Sequence, residues 1–214
     1  MAPAGAPIDT AEGRAAVAAG GAQVVFAAGG GPHARDLYVT ARAGAAWSAP
    51  RLISADSPFA WNDTPTLAPD ASRLVFDCGP EANAGPGGSI CEVAIDGGAV
   101  TVVVGPDDAP AAIVERGPLH HGGYAGDAVV FEAAWDGERL WTTAAGGPRP
   151  LAPDAGNDNS PCVLPDGRIA SLWLGRPGNP DGRHELKVVA ATGGAPVMLV
   201  TDVDVRDDGL GCGR

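Results

Sequence analysis

The stretch Ala68-Pro69-Asp70-Ala71-Ser72-Arg73-Leu74-Val75-Phe76 decides the fold, because it returns as Leu164-Pro165-Asp166-Gly167-Arg168-Ile169-Ala170. In both, a Pro-Asp turn leads into an apolar strand. Proline presets the φ of a turn, and aspartate hydrogen-bonds its own backbone two residues on. Aligned on that strand, the chain shows Val24-Val25-Phe26, Leu74-Val75-Phe76, Val129-Val130-Phe131 and, more weakly, Ile169-Ala170-Ser171-Leu172-Trp173. A loop and a further strand follow each copy, at Leu37–Thr40, Ile90–Val93, Leu140–Thr143 and Leu186–Val189. Turns at Gly44, Gly97-Gly98, Gly146-Gly147 and Gly193-Gly194 come next. A last apolar stretch closes each unit, at Arg51–Ile53, Val100–Val104, Arg149–Leu151 and Val197–Thr201.

Val, Ile, Thr and aromatic residues suit a pleated, half-buried surface, and Asp96-Gly97-Gly98 supplies the positive φ of a hairpin turn. The Ala-rich stretch at 11–22 favours helix by composition, but the alignment places a first strand there. A repeat of roughly 40–50 residues carrying four short strands is the signature of a β-propeller. The expected fold is therefore all-β, about four four-stranded blades at 8–54, 55–105, 106–152 and 153–202, in one domain after a flexible linker, 1–7. The tail at 203–214 resembles the approach to a first strand, as in Asp158-Asn159-Ser160-Pro161-Cys162, and reads as a closing strand that latches a small ring. A five-bladed ring, or a partial ring completed by a partner chain or by a missing segment, is the alternative.

Pro-Asp-Gly-Arg before an apolar strand, then a Gly-Gly turn and a Leu-rich strand, resembles the WD-like repeat of TolB-type β-propellers. The resemblance covers roughly residues 8–202; copies two and four match well, while copy three keeps only Ala125-Gly126-Asp127-Ala128 and copy one only Ala19-Gly20-Gly21-Ala22. It implies binding of other proteins, sometimes of sugars, and only occasionally catalysis. It also implies a six-bladed ring, which this chain departs from, since four full units fit. Function has to come from the site rather than the fold.

The net charge of −12 and pI near 4.5 exclude nonspecific nucleic-acid binding as a main role. Lys187 is the only lysine beside thirteen arginines, a bias that reads as genome composition rather than chemistry. No apolar run approaches the ~18 residues of a membrane span. Met1–Pro7 lacks the basic and apolar regions of a signal peptide and reads as a linker from which an upstream export signal has been removed. The four cysteines fit two disulfides. Cys78–Cys91 would tie down a long Gly/Pro-rich loop, and Cys162–Cys212 would staple the tail to the fourth unit. Such pairs place the chain in the periplasm, outside the cell or on its surface.

The loops ahead of the first strands carry Asn62-Asp63, His120-His121, Asp158-Asn159 and Asp207-Asp208. Gathered at one mouth of the channel, these pairs form the candidate binding site. Asp63, Asp158 and Asp207 would suit Ca²⁺, which takes oxygen ligands; the simpler reading is Asx-turns at Asn62-Asp63-Thr64-Pro65 and Asn159-Ser160-Pro161. His120 and His121 are also candidates for a metal-dependent, lyase-like enzyme together with Asp63 and Asp158. His33 and His184 fall in loops between second and third strands, far from the mouth, and no Gly-x-Ser-x-Gly, P-loop or His-Glu-x-x-His motif is present. Trp61 and Trp135 are the expected exposed aromatic contacts for a protein or glycan, and Trp141 is expected to pack between blades. The favoured expectation is a noncatalytic scaffold for a protein partner with a basic surface. A calcium-stabilised carbohydrate-binding module is the other alternative.

Overall fold

A computed structural model describes residues 15–81, 87–135, 137–144, 146–152, 158–173, 184–203 and 210. Four antiparallel sheets follow one another along the chain, and no α-helix occurs among the described residues. The first holds β1 (Ala15–Val17), β2 (Gln23–Ala28), β3 (Asp36–Ala43) and β4 (Ala46–Trp47), with β5 (Arg51–Leu52) also on β3. The second runs β6 (Trp61–Leu67), β7 (Arg73–Gly79), β8 (Ser89–Ala94) and β9 (Thr101–Val104). The third is β10 (Arg116–Ala125), β11 (Ala128–Trp135), β12 (Glu138–Thr142) and β13 (Arg149–Pro150). The fourth is β14 (Asp158–Val163), β15 (Ile169–Trp173), β16 (His184–Val189) and β17 (Val197–Val203). The expected linker at 1–7 lies outside the described residues, as does the closing segment at 203–214 apart from Val203 and Leu210.

The expected alignment of second strands holds in the register. Val24, Leu74, Val129 and Ile169 pair with Val17, Leu67, Tyr124 and Val163 at the same point of each first strand. The Ala-rich segment is a short first strand followed by a single 3-10 turn, Ala19–Gly21. Here the pairing of β1 with β2 outweighs the helix preference of alanine.

Second strands are apolar without alternation because both of their faces are buried. Val25, Leu37 and Val39 pack on Leu74, Phe76 and Val93 of the second sheet. From the opposite face of that sheet, Val75, Ile90 and Val104 pack on Leu119, Phe131, Trp135 and Trp141 of the third. Val130, Leu140 and Leu151 then meet Ile169 and Val189 of the fourth. The sheets thus stack face to face in sequence order, as in a propeller. The Cys78–Cys91 disulfide is present, with the two Cα atoms 5.9 Å apart. It runs diagonally across β7 and β8, since Cys78 sits opposite Ser89 and Cys91 opposite Phe76. Cys162 is disulfide-bonded as well; Cys212, its expected partner, lies outside the described residues.

The two Pro-Asp turns share one geometry. The Ala71 amide donates to the Ala68 carbonyl at 2.9 Å, and the Gly167 amide to Leu164 at 2.9 Å. Asp70 Oδ1 accepts from the Ser72 amide, and Asp166 Oδ1 from the Arg168 amide, both at 3.0 Å. The residue between is left-handed, with φ +56° at Ala71 and +83° at Gly167. An L-residue with a Cβ is strained there by roughly 1–2 kcal/mol. Ala71→Gly should therefore stabilise the protein by about 0.5–1 kcal/mol, less than the full relief because glycine also loosens the unfolded chain. Urea unfolding with an unchanged m-value checks this, and a destabilised variant would contradict it.

Candidate functional site

Asn62-Asp63, His120-His121 and Asp158-Asn159 lie inside the first strands β6, β10 and β14, not in loops ahead of them. Each strand carries a β-bulge at or just after its pair, between Asp63 and Thr66, His120 and Gly123, and Asn159 and Cys162. The bulged residues are left-handed: Thr64 at φ +51°, His121 at +55° and Ser160 at +51°. Pro65 and Pro161 follow two of them and have no N–H to lose from the ladder. Gly122 follows the third, where a Cβ would come within 2.8 Å of Ile90 Cγ2. The Thr-Pro and Ser-Pro steps expected to shape loops shape bulges instead.

A bulge leaves an amide without a ladder partner, and two carboxylates absent from the sequence reading take it up. Asp77, at the end of Val75-Phe76-Asp77, accepts from the His121 amide of the next sheet at 2.9 Å. Glu132, at the end of Val130-Phe131-Glu132, accepts from the Ser160 amide of the next sheet at 3.0 Å. Both carboxylates are buried, which strengthens a charge-assisted hydrogen bond. The first sheet offers Ala27 at the equivalent position, and Asp63 instead accepts from its neighbour, the Thr64 amide, at 2.7 Å. The signal was present in the sequence as a carboxylate directly after the Val-Phe of two of the four second strands.

The same carboxylates hold the histidines. His121 Nδ1 lies 3.0 Å from Glu132 Oε2, and His120 Nδ1 lies 3.7 Å from Asp77 Oδ2. The rings are 6.0 Å apart, and both side chains keep a quarter of their surface exposed. Burial favours the neutral acid at Glu132, but the hydrogen bond and charge of His121 and the Ser160 amide outweigh it and hold its pKa below the usual value.

Around Asp63 the second sheet is tied to the first. Arg35 Nε meets Asp63 Oδ2 at 2.9 Å, and the Arg35 guanidinium lies 5.3 Å from the centre of the Trp61 ring. Asn62 is fully buried: its Nδ2 donates to the Arg35 carbonyl at 3.0 Å, and its Oδ1 accepts from Ser57 Oγ at 2.6 Å. Asn62 is a latch between sheets, not a ligand-facing group. Burial pushes the Asp63 carboxyl up to about 6, against the Thr64 amide and Arg35, which favour the charged form.

A raised folded pKa has a definite sign. Between about 6 and the ordinary value of 3.8, the native state binds a proton that the unfolded chain releases. Acidification through this window therefore stabilises the fold through Asp63, by up to about 3 kcal/mol once complete. Asp63→Asn should remove that gain. Its urea-unfolding free energy, compared with wild type at pH 7, 5 and 4, should fall progressively behind as the pH drops. A pH-independent difference would refute the assignment.

Asp158 is not at an open mouth. It is buried and paired with Lys187, whose ammonium also lies 4.9 Å from the centre of the Trp173 ring. Asn159 is half-buried beside it, and Asp207 and Asp208 lie outside the described residues. Asp63 and Asp158, two of the three expected Ca²⁺ ligands, each face a cation of this chain. Among the described residues no group of three or more His, Cys, Asp or Glu is placed to hold a metal ion. Trp61 is half-exposed, but Trp135, expected as an exposed contact, is fully buried. It stands in the middle of an edge-to-face stack, with the Phe131 and Trp141 centroids 5.7 and 5.1 Å away. Trp141 packs between sheets as expected.

No family model matches the chain, and no curated protein matches it. Solved structures do. TolB from Acinetobacter baumannii superposes with a TM-score of 0.61 at 13% identity, over 86% of this chain and 42% of that one. A chain of a nidogen/laminin complex gives 0.58 at 11% identity, covering 88% of this chain and 64% of that one. A prolyl endopeptidase gives 0.56 at 10% identity, over 91% of this chain and 30% of that one. The chain spans less than two thirds of each of these structures. The likenesses show the fold, a TolB-type β-propeller.

Proposed function

We propose that this TolB-type β-propeller is a noncatalytic binding scaffold of the cell envelope or exterior, which engages a protein partner at the mouth around His120 and His121. One observation carries the reading. The carboxylates of the mouth are spent on amides and cations of their own chain, while the two imidazoles they orient remain part-exposed. Such an arrangement is a rigid recognition surface, since its hydrogen-bonding geometry is set before a partner arrives. With a net charge of −12, the chain would favour a partner with a basic face. The Cys78–Cys91 disulfide suits an oxidising compartment, and no helix among the described residues is long and apolar enough to cross a membrane. Similarity to TolB and to the nidogen/laminin chain supports a protein partner.

A photo-crosslinking residue at position 120 tests this in cells of the source organism. It should capture one defined protein, less efficiently as salt is raised. The same residue at Asp96, an exposed turn at the other end of the second sheet, should capture none. Equal capture at both positions, or none at 120, would overturn the reading. Calcium has no part in it, so a chelator should leave both the capture and the melting temperature unchanged.

A further inference from the structure

The channel has a second end, different in chemistry from the histidine mouth. A cavity of about 440 Å³ lies on the axis and is walled by all four sheets. Its wall includes β1 and the turn after it, the C-terminal half of β6 with Pro69, Gly123 of β10, and Pro161–Val163 of β14, together with Leu210. Among the described residues no ionisable side chain lines it, although the chain as a whole carries a charge of −12. Leu67, Val163 and Leu210 are buried or half-buried there, whereas Val17 keeps 56% of its surface exposed. An aliphatic side chain left open in a concave wall favours an apolar group of an occupant over water.

The wall also has polar groups, from the backbone and from Thr66. β1 and β6 are terminal strands of their sheets, paired on one side only among the described residues. Alternate N–H and C=O groups of such strands turn away from the ladder, here toward the axis. An anion would meet an acidic protein with no cation among the described residues of the wall. A cation would lose its hydration without gaining a carboxylate. Only a neutral molecule avoids both costs.

We infer that this axial cavity is a binding site for an uncharged small molecule with a largely apolar body and one or two hydrogen-bonding groups. It is separate from the protein-binding mouth, so either assignment can fail without the other.

N-phenyl-1-naphthylamine and its sulfonated counterpart 1-anilinonaphthalene-8-sulfonate form a matched neutral and anionic pair of probes. The neutral dye should bind the full-length protein saturably at one site, at least tenfold more tightly than the anionic one. Gly123→Leu should fill the axis. A Cβ at 123 meets only Val163 Cγ2 at 3.6 Å and Thr66 Cγ2 at 3.9 Å, so the added side chain has room to begin. Val17→Asp puts a charge in the wall at an exposed position that the core does not need. Each substitution should weaken the neutral dye tenfold or more without a large fall in melting temperature. Leu199→Asp, on the exposed apolar strand β17, should change nothing. The inference is overturned if the neutral dye does not saturate, if both dyes bind equally, or if binding is lost in Leu199→Asp but kept in Val17→Asp. Should Gly123→Leu fail to fold, Val17→Asp alone decides.

Discussion

Replacing Lys187 by alanine should cost about 3–5 kcal/mol, the range found when one partner of a buried ion pair is removed. Lys187 and Asp158 are both almost fully buried, at 3% and 1% side-chain exposure, between the third and fourth sheets. Burial raises the pKa of Asp158, while Lys187 is the main group holding it charged. Without the ammonium, the carboxylate must stay charged and unpaired or take up a proton, and both states are less stable. Lys187→Met combined with Asp158→Asn removes both charges at nearly constant volume and should recover about half the loss or more. Urea unfolding of Lys187→Met, Asp158→Asn and the double variant at pH 7 measures the coupling. Additive losses would mean that the two side chains do not act as a pair. Because the chain has no other lysine, an amine reagent should modify position 187 only after unfolding, which gives an independent check of burial.

Trp135→Ala should be about as costly, roughly 3–5 kcal/mol, through loss of apolar burial and the cavity left behind. Its indole has no exposed surface and lies edge-on to both Phe131 and Trp141 in the core between the second and third sheets. Trp135→Phe separates the possible sources of the loss. Phenylalanine keeps much of the packing and removes an indole N–H that has no hydrogen-bond partner among the described residues. That variant should lose less than about 1.5 kcal/mol, because relief of an unsatisfied donor offsets part of the lost volume. If Trp135→Ala is as mild as a surface substitution, the sheet-to-sheet packing described above is wrong at that point.

Much of the fold was legible in the residues, and the legible parts share a cause. The Pro-Asp turns, the Gly-Gly turns and the apolar strands are each specified within a few residues, by φ preferences and by burial of both strand faces. The diagonal Cys78–Cys91 bridge was legible too, because a hairpin brings near neighbours in sequence together. The site was far less legible. Asn62, Asp63, His120 and His121 stand out in the sequence, yet they read as loop residues, because Asn-Asp-Thr-Pro has the same composition in a turn and in a bulge. Lys187 read as a trace of genome composition, and nothing local distinguishes it from a solvated lysine. Trp135 looked exposed because it stands at a strand end, where only the neighbouring sheet determines burial.

The sequence alone therefore determined the repeat and the order of strands and turns. Tertiary structure decided which carboxylate meets which amide. Asp77 reaches His121 across 44 residues and Glu132 reaches Ser160 across 28. The physical reason is that a bulge amide is left unpaired by its own ladder, but the acceptor that satisfies it belongs to the preceding sheet. Only the stacking of one sheet on the next brings the two together.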